Sequence, residues 1–374
     1  MFKYNSDQWT KRIINEYSAR VNYHVYLIHN GNPYEVLTEI HRNMEEVQKC
    51  KKIIIRAGYE APYYSLWFAV TKLLKSIGFS KDNILIIDMG APPPEEVIDW
   101  KHVGLPIIVT TDALKEEVVR EKDKIFISLA RVPRAYRVLF TVELLELDLF
   151  LNDKSIISCG SASEMDIHDL TAIWKKYVPE KHRIHFPKII NTPVNRTEGF
   201  DKKDNSYFSR ALINVIQETG FDDGYHIQLQ SEHDAKHNDY LPETCCHSLN
   251  FKAWNRLTFT EKTLKCFLMR QLPLFLSSAG YVEYVRSLGF DVFDDFINHS
   301  YDTQQDPYLR IKMVAKELQR LYKLLEGTNS QTDYSVHVPN FHERTEKNLR
   351  IIDEIQEKYY HLENRLIDEF LLSE

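Results

Sequence analysis

Lys124-Ile125-Phe126-Ile127-Ser128-Leu129 is an apolar run of strand length, and the segment after it, 134–150, has helical periodicity. A strand apolar on both faces is one covered by helices on both sides. The same alternation precedes it. Residues 21–29 alternate enough to form a strand, and 33–48 have helical periodicity. Lys52-Ile53-Ile54-Ile55-Arg56-Ala57-Gly58 is a buried-strand run ending in glycine, and a helix over 62–77 follows. Strands are predicted again at Asn83–Asp88 and Leu105–Thr110, around the break at Pro92-Pro93-Pro94, and a helix near 112–121. At residue 124 the pattern restarts, with a further strand at Ser155–Gly160 and a helix over 164–177. Strands alternating with amphipathic helices form a parallel sheet. Two such α/β units joined near 121–124 predict two Rossmann-like domains facing a cleft, with ligands at the carboxyl ends of the strands.

The rest of the chain is less regular. Residues 220–256 form a long polar insertion, and loops of this length are usually functional or mobile. Asp306-Pro307 supplies an N-cap and an N1 proline for a helix to about Leu325. After the Gly-Thr-Asn-Ser linker at 327–330, Leu349, Ile352, Ile355, Tyr359, Leu362 and Leu366 form one apolar stripe over 342–372. That helix is expected to pack back on the N-terminal domain. The predicted domains are therefore 1–122, 123–326 and 327–374.

Composition bounds the function. The 374 residues are enough for two domains of ordinary size. The formal charge of −7 excludes a generally basic nucleic-acid binder and leaves room for a local basic groove. No apolar run approaches the roughly 18–20 residues that span a membrane, and the start lacks a signal-peptide core. Five cysteines without a repeating spacing point to reduced thiols and a cytoplasmic location.

The stretch richest in chemistry is Leu257-Thr258-Phe259-Thr260-Glu261-Lys262-Thr263-Leu264, continuing to Gln271-Leu272-Pro273-Leu274-Phe275-Leu276. Thr260 is a good N-cap, so a helix of two to three turns starts at Glu261 and runs into Pro273 and a short strand. A helix N-terminus carries exposed N–H groups and the positive end of the macrodipole. Glu261 suits that field; Lys262 suits it when an anion is present as well. A carboxylate for ribose hydroxyls beside a lysine for a diphosphate would make a nucleotide-sugar site. An ordinary surface helix starting Glu-Lys reads equally well from these residues alone.

Phe259-Thr260-Glu261-Lys262-Thr263, then Gly280-Tyr281-Val282-Glu283-Tyr284-Val285-Arg286-Ser287-Leu288-Gly289-Phe290, Phe293-Asp294-Asp295-Phe296 and Ser300-Tyr301-Asp302, resemble glycosyltransferase-like proteins of bacteriophages and large DNA viruses. The resemblance covers roughly residues 124–326. It implies the GT-B architecture, in which fucosyltransferases use a similar Thr-Glu-Lys element to contact the donor nucleotide; here that role would fall on Glu261 and Lys262. It also implies that Ala211–Gln217 is a strand ending in Glu218-Thr219.

Other clusters admit two readings each. Arg131-Val132-Pro133-Arg134-Ala135-Tyr136-Arg137 opens a helix, and Arg134 and Arg137 share a face. Three cations at a helix N-terminus oppose the macrodipole unless an anion binds, and guanidinium forks fit phosphate; salt bridges to surface carboxylates are the alternative. The resembled proteins carry Arg/Lys-Pro-Arg-x-x-Arg here, whereas Val132 precedes the proline in this chain. Gly160, in Cys159-Gly160-Ser161-Ala162-Ser163, permits close approach of a phosphate, or belongs to an ordinary turn with Ser163 as N-cap. His233, His237, Cys245, Cys246 and His247 match no strong zinc spacing, and no metal is expected. Asp88, Glu60 and His29 stand at or just after strand ends; Asp88 or Glu60 is the preferred base for an acceptor hydroxyl. Residues 181–210 contain seven Lys/Arg, including Lys202 and Lys203, against three Asp/Glu, interleaved with aromatics. They would suit a nucleic-acid acceptor or form a solvated loop.

The expected activity is transfer of a sugar from a nucleotide diphosphate sugar to a hydroxyl, without a cofactor. Glu261 would hold the ribose, and Lys262 with Thr260, Arg131, Arg134 and Arg137 the diphosphate side. The acceptor would be a hydroxymethylated base of phage DNA or a viral glycan. A non-catalytic nucleotide- or glycan-binding protein with the same fold is the alternative.

Overall fold

The computed structural model describes residues 2–4, 8–30, 33–57, 64–89, 101–105, 121–130, 135–150, 152–159, 175–185, 209–218, 257, 259–327 and 333–372. The chain divides into two compact units. One comprises Met1–Ile108, His233–Phe259 and Ile355–Glu374, the other Val109–Glu232 and Thr260–Glu354. Each contains a parallel sheet with helices, an α/β arrangement.

In the first unit, strands β1 (Phe2–Tyr4), β2 (Val25–Asn30), β3 (Lys52–Ala57), β4 (Ile84–Met89) and β5 (Lys101–Leu105) lie side by side in chain order, all parallel. Successive side chains of a strand point to opposite faces. Tyr26, Ile28, Ile53, Ile55, Ile84 and Ile86 therefore meet Val36 and Ile40 of α2 (Pro33–Arg42), Val47 of α3 (Met44–Gln48), and Val70 and Leu74 of α4 (Tyr64–Ser76). Val25, Leu27, Ile54, Leu85 and Ile87 take the other face. They pack with Trp9, Ile13 and Tyr17 of α1 (Gln8–Tyr17) and with Ile367, Phe370 and Leu371 near the chain end. Burial on both faces is why β3 and β4 read as continuous apolar runs instead of alternating ones.

In the second unit, β6 (Lys124–Ala130), β7 (Ser155–Cys159), β8 (Ala211–Gln217) and β9 (Leu272–Leu276) form a parallel sheet in the order β7-β6-β8-β9. Helices α5 (Ala135–Glu146), α6 (Glu261–Leu268), α7 (Tyr281–Ser287) and α8 (Pro307–Glu326) belong to this unit. Asp306 caps α8 through Oδ1, which accepts from Tyr308 N at 2.8 Å and Leu309 N at 3.0 Å. Helix α9 (Phe341–Leu372) gives its residues to Glu354 to the second unit and those from Ile355 to the first.

Several elements differ from the sequence expectations. The helix expected over 33–48 is two helices, separated at Asn43, whose carbonyl accepts from Glu46 N and Val47 N. A strand not expected is found at Lys101–Leu105, ending where the one expected at Leu105–Thr110 begins; residues 106–110, and the helix expected near 112–121 up to residue 120, lie outside the described residues. Of the helix expected over 164–177, residues 175–177 are described and helical. Helix α1 is an additional element. Its buried stripe, Trp9, Ile13 and Tyr17, has the spacing of four that marks a helix face. On the last turns of α9 the buried positions are Glu363, Ile367, Phe370 and Leu371, while Leu362 and Leu366 are only partly covered. No helix among the described residues is long and apolar enough to cross a membrane. Cys50, Cys159 and Cys266 are buried free thiols.

Lys122, 1% exposed, lies at the amino ends of the second sheet. Its ammonium donates to Ser209 O at 2.6 Å and Met269 O at 2.8 Å. Burial, reinforced by Arg270, lowers its pKa to about 7, against the opposing influence of Cys266 and Asp333. The unfolded chain then binds a proton that the folded chain lacks between about 7 and 10.5, so this group makes stability rise with pH across that window. Below the window both states are protonated and the cost of burying the charge is felt in full. The expected result is that Lys122→Met flattens this part of the profile. Denaturant unfolding of parent and variant at several pH values checks it, since the difference between them isolates the lysine.

Candidate functional site

Strand order in the second sheet reverses between β6 and β8: the chain leaves β6 toward β7 and returns to the other side at β8. In open parallel sheets a crevice forms at such a switch point, outside the carboxyl ends of the strands. At that end of β8 follow Gln217 and Glu218, 2% and 0% exposed. Gln217 Nε2 donates to Ser128 Oγ of β6 at 2.8 Å.

Glu218 organises the surroundings. Its Oε2 accepts from Thr260 Oγ1 at 2.6 Å. Its Oε1 accepts from Thr263 Oγ1 at 2.5 Å and from the Tyr281 hydroxyl at 3.1 Å. Its backbone carbonyl accepts from the Tyr136 hydroxyl. A buried carboxylate must have its acceptor sites filled, and three hydroxyls from α6, its N-cap and α7 fill them. Burial and the neighbouring carboxylate push the Tyr281 phenol well above its ordinary range, so it stays a donor.

This arrangement fixes the start of α6. Thr260 donates to Glu218 and accepts from Lys262 N at 3.1 Å, so its hydroxyl serves as donor and acceptor at once. Thr263, one turn on, faces the same carboxylate. Lys262 is half-buried, its ammonium 3.5 Å from Thr260 Oγ1, so a cation is held at the positive end of the helix. Glu261 is the first residue of α6; its side chain lies outside the described part. The amides that open α7 are already taken: Val282 N and Glu283 N donate to the Asp302 carboxylate at 2.9 and 3.2 Å.

Comparison with protein-family models, curated proteins and solved structures finds no match to this chain. The site must be read from its own residues.

Arg137, in the first turn of α5, is 5% exposed. Its Nε donates to the Tyr136 hydroxyl at 2.9 Å and Nη2 to Gln217 O at 3.0 Å, while Tyr136 bonds the next carbonyl. Arg137 thus braces the Gln217-Glu218 turn from beneath. Arg131, Arg134, Gly160, Lys202, Lys203 and Glu60 lie outside the described residues, as do His233, His237, Cys245, Cys246 and His247. Asp88 stands near the carboxyl end of β4, in register with Gly104 of β5. Among the described residues no group of three metal-ligating side chains is found. Lys181 pairs with Glu146 at 2.7 Å, and Arg183 donates to Val178 O and Lys175 O, so both have intramolecular partners. The residues to which the sequence assigned no role in the site are Glu218, Thr263, Tyr281 and Gln217. Thr263 carried a signal, since it stands three residues after the N-cap and shares its face.

Proposed function

We propose that the chain transfers a sugar from a nucleotide diphosphate sugar to a hydroxyl acceptor. One observation carries the reading. The Thr260-Glu261-Lys262 turn is held by a buried carboxylate at the carboxyl end of β8, beside the switch point of the sheet. A diphosphate bound at this helix start would meet both the positive end of the helix dipole and the Lys262 ammonium. On this reading Glu261 accepts from the ribose hydroxyls. Lys262, with Arg131 and Arg134 of the segment between β6 and α5, would meet the diphosphate as charge develops on the leaving group. Arg137 acts through Gln217 and Glu218, holding the turn in place. Asp88 or Glu60 would take the acceptor proton in the first unit. Lys202 and Lys203 would meet phosphates if the acceptor is DNA. The resemblance to GT-B glycosyltransferases also favours this reading.

A thermal-shift screen against nucleotide diphosphates and their sugars tests the reading. A ligand at 100 times its dissociation constant stabilises by about 2.7 kcal/mol. Lys262→Ala and Glu261→Gln are each expected to weaken the bound nucleotide about tenfold or more with near-native melting. Release of nucleotide diphosphate from a nucleotide sugar then separates a transferase from a binding protein. Unchanged affinity in both variants removes the site.

A further inference from the structure

The first unit holds a charged cluster that the proposed reaction does not use. On β2 and β3 the residues facing α1 and α9 run Val25, Leu27, His29 and Lys52, Ile54, Arg56, with His29 and Arg56 in register. The apolar row thus ends, at the carboxyl end of the sheet, in a histidine and an arginine. Trp9 and Arg12, three apart on α1, and Tyr360 and Glu363, three apart on α9, face the same place. Three side chains converge on one atom: Glu363 Oε1 accepts from Trp9 Nε1 at 2.5 Å and Arg12 Nη2 at 3.3 Å, and forms an ion pair with Arg56 Nε at 3.2 Å. The Glu363 side chain is 4% exposed, whereas both arginines are 26% exposed.

The charges do not balance. Among the described residues Glu363 is the one carboxylate on these two guanidinium groups, which leaves one positive charge in excess. Both contacts are longer than the 2.7–2.9 Å typical of a charge-assisted bond, so one oxygen is stretched between two forks. Arg12 Nε is buried without a hydrogen-bond partner. Arg56 Nη1 lies 3.2 Å from His29 Nε2. A guanidinium only donates, so in this contact His29 Nε2 is the acceptor and helps to orient Arg56. Each guanidinium also stacks on an aromatic ring, Arg12 5.3 Å from the Tyr360 centroid and Arg56 5.8 Å from that of Trp9.

We propose that Arg12 and Arg56, anchored by Glu363 and His29, form a phosphate-binding subsite at the carboxyl end of the first sheet. The guanidinium forks are oriented before any ligand arrives, partly solvent-accessible and one charge short of neutrality. Those are the conditions under which a tetrahedral oxyanion is bound bidentately. The subsite stands independently of the nucleotide site on α6.

Phenylglyoxal modification of the full chain, mapped by mass spectrometry with and without inorganic phosphate at matched ionic strength, tests this directly. Phosphate is expected to slow modification of Arg12 and Arg56 several-fold and leave the exposed Arg20 unaffected. The protection should persist in Lys262→Ala, which separates this subsite from the nucleotide site. By calorimetry, Arg56→Gln should weaken phosphate about tenfold or more. Glu363→Gln, which keeps the acceptor for Trp9 and removes the negative charge, should tighten it; a purely structural cluster would show no gain. Equal modification rates with and without phosphate at both arginines would overturn the proposal in the parent protein, whatever the stability of the variants.

Discussion

Phe370→Ala is expected to destabilise the first unit by about 3–5 kcal/mol. The ring is 0% exposed and packs with Trp9, Ile13, Leu27 and Ile54, so its removal leaves a cavity between helix and sheet. Lys52, 2% exposed, sits with its ammonium 5.2 Å from the same ring and donates to the Phe370 carbonyl. The Tyr23 hydroxyl donates to the Leu371 carbonyl. Two orphan carbonyls of the last turn are thereby satisfied, and a cation stands where the macrodipole is negative. Loosening this end therefore also releases a buried lysine. Hydrogen exchange of the β2 and β3 amides is the measurement, because a loss of about 3 kcal/mol raises their exchange more than a hundredfold where opening is global. Leu372→Ala, at a residue 44% exposed, is the control and should stay within about 0.5 kcal/mol of the parent. Exchange in β2 and β3 that matches the parent would mean that the end of α9 is not part of this core.

Glu218→Ala is expected to cost the second unit several kcal/mol and to abolish nucleotide binding. The substitution leaves the Thr260, Thr263 and Tyr281 hydroxyls without their shared acceptor, and each orphaned buried hydroxyl costs about 1–3 kcal/mol. The costs do not add in full. Thr263 Oγ1 and Tyr281 OH lie 2.9 Å apart and can bond each other, and Thr260 still caps Lys262 N. Glu218→Gln keeps the volume and one acceptor but turns a donor toward hydroxyls that themselves donate, so an intermediate loss of about 1–3 kcal/mol is expected. Calorimetric melting of both variants gives the order alanine below glutamine below parent. Ligand affinity should follow the same order, since the carboxylate sets the position of α6. If Glu218→Gln melts lower but binds nucleotide like the parent, Glu218 stabilises the fold without positioning the site.

Much of this architecture is legible in the chain. β3, β4 and β6 are apolar runs, and periodicity alone places them, because a strand covered on both faces is apolar on both; β8 is expected only from the resemblance. Thr260 as N-cap and Asp306-Pro307 as the start of α8 are local decisions, made by side chains within three residues of the amides they serve. These features depend on near neighbours, and a linear reading suffices for them. Strand order is another matter. Nothing in the apolar runs says that β7 lies on one side of β6 and β8 on the other, since all four strands carry the same apolar signal. Yet that order places the switch point, and with it the candidate site. Arg137 likewise reads as one of three cations awaiting an anion, and only packing turns its guanidinium toward Tyr136 and Gln217.

Two of the buried carboxylates, Glu218 and Glu363, draw the line most clearly. Glu218 at the end of an apolar strand and Glu363 on a charged helix both look solvent-facing, since acidic residues are rarely buried unpaired. Their burial is made possible by donors 42 to 354 positions away in the chain, Thr260 and Thr263 for one, Trp9, Arg12 and Arg56 for the other. Local propensity and hydrophobic period are enough to lay down the layers, two parallel α/β units with their caps and apolar faces. Which polar groups lie inside depends on long-range packing, because the free energy of burying a charge rests on partners that periodicity does not encode.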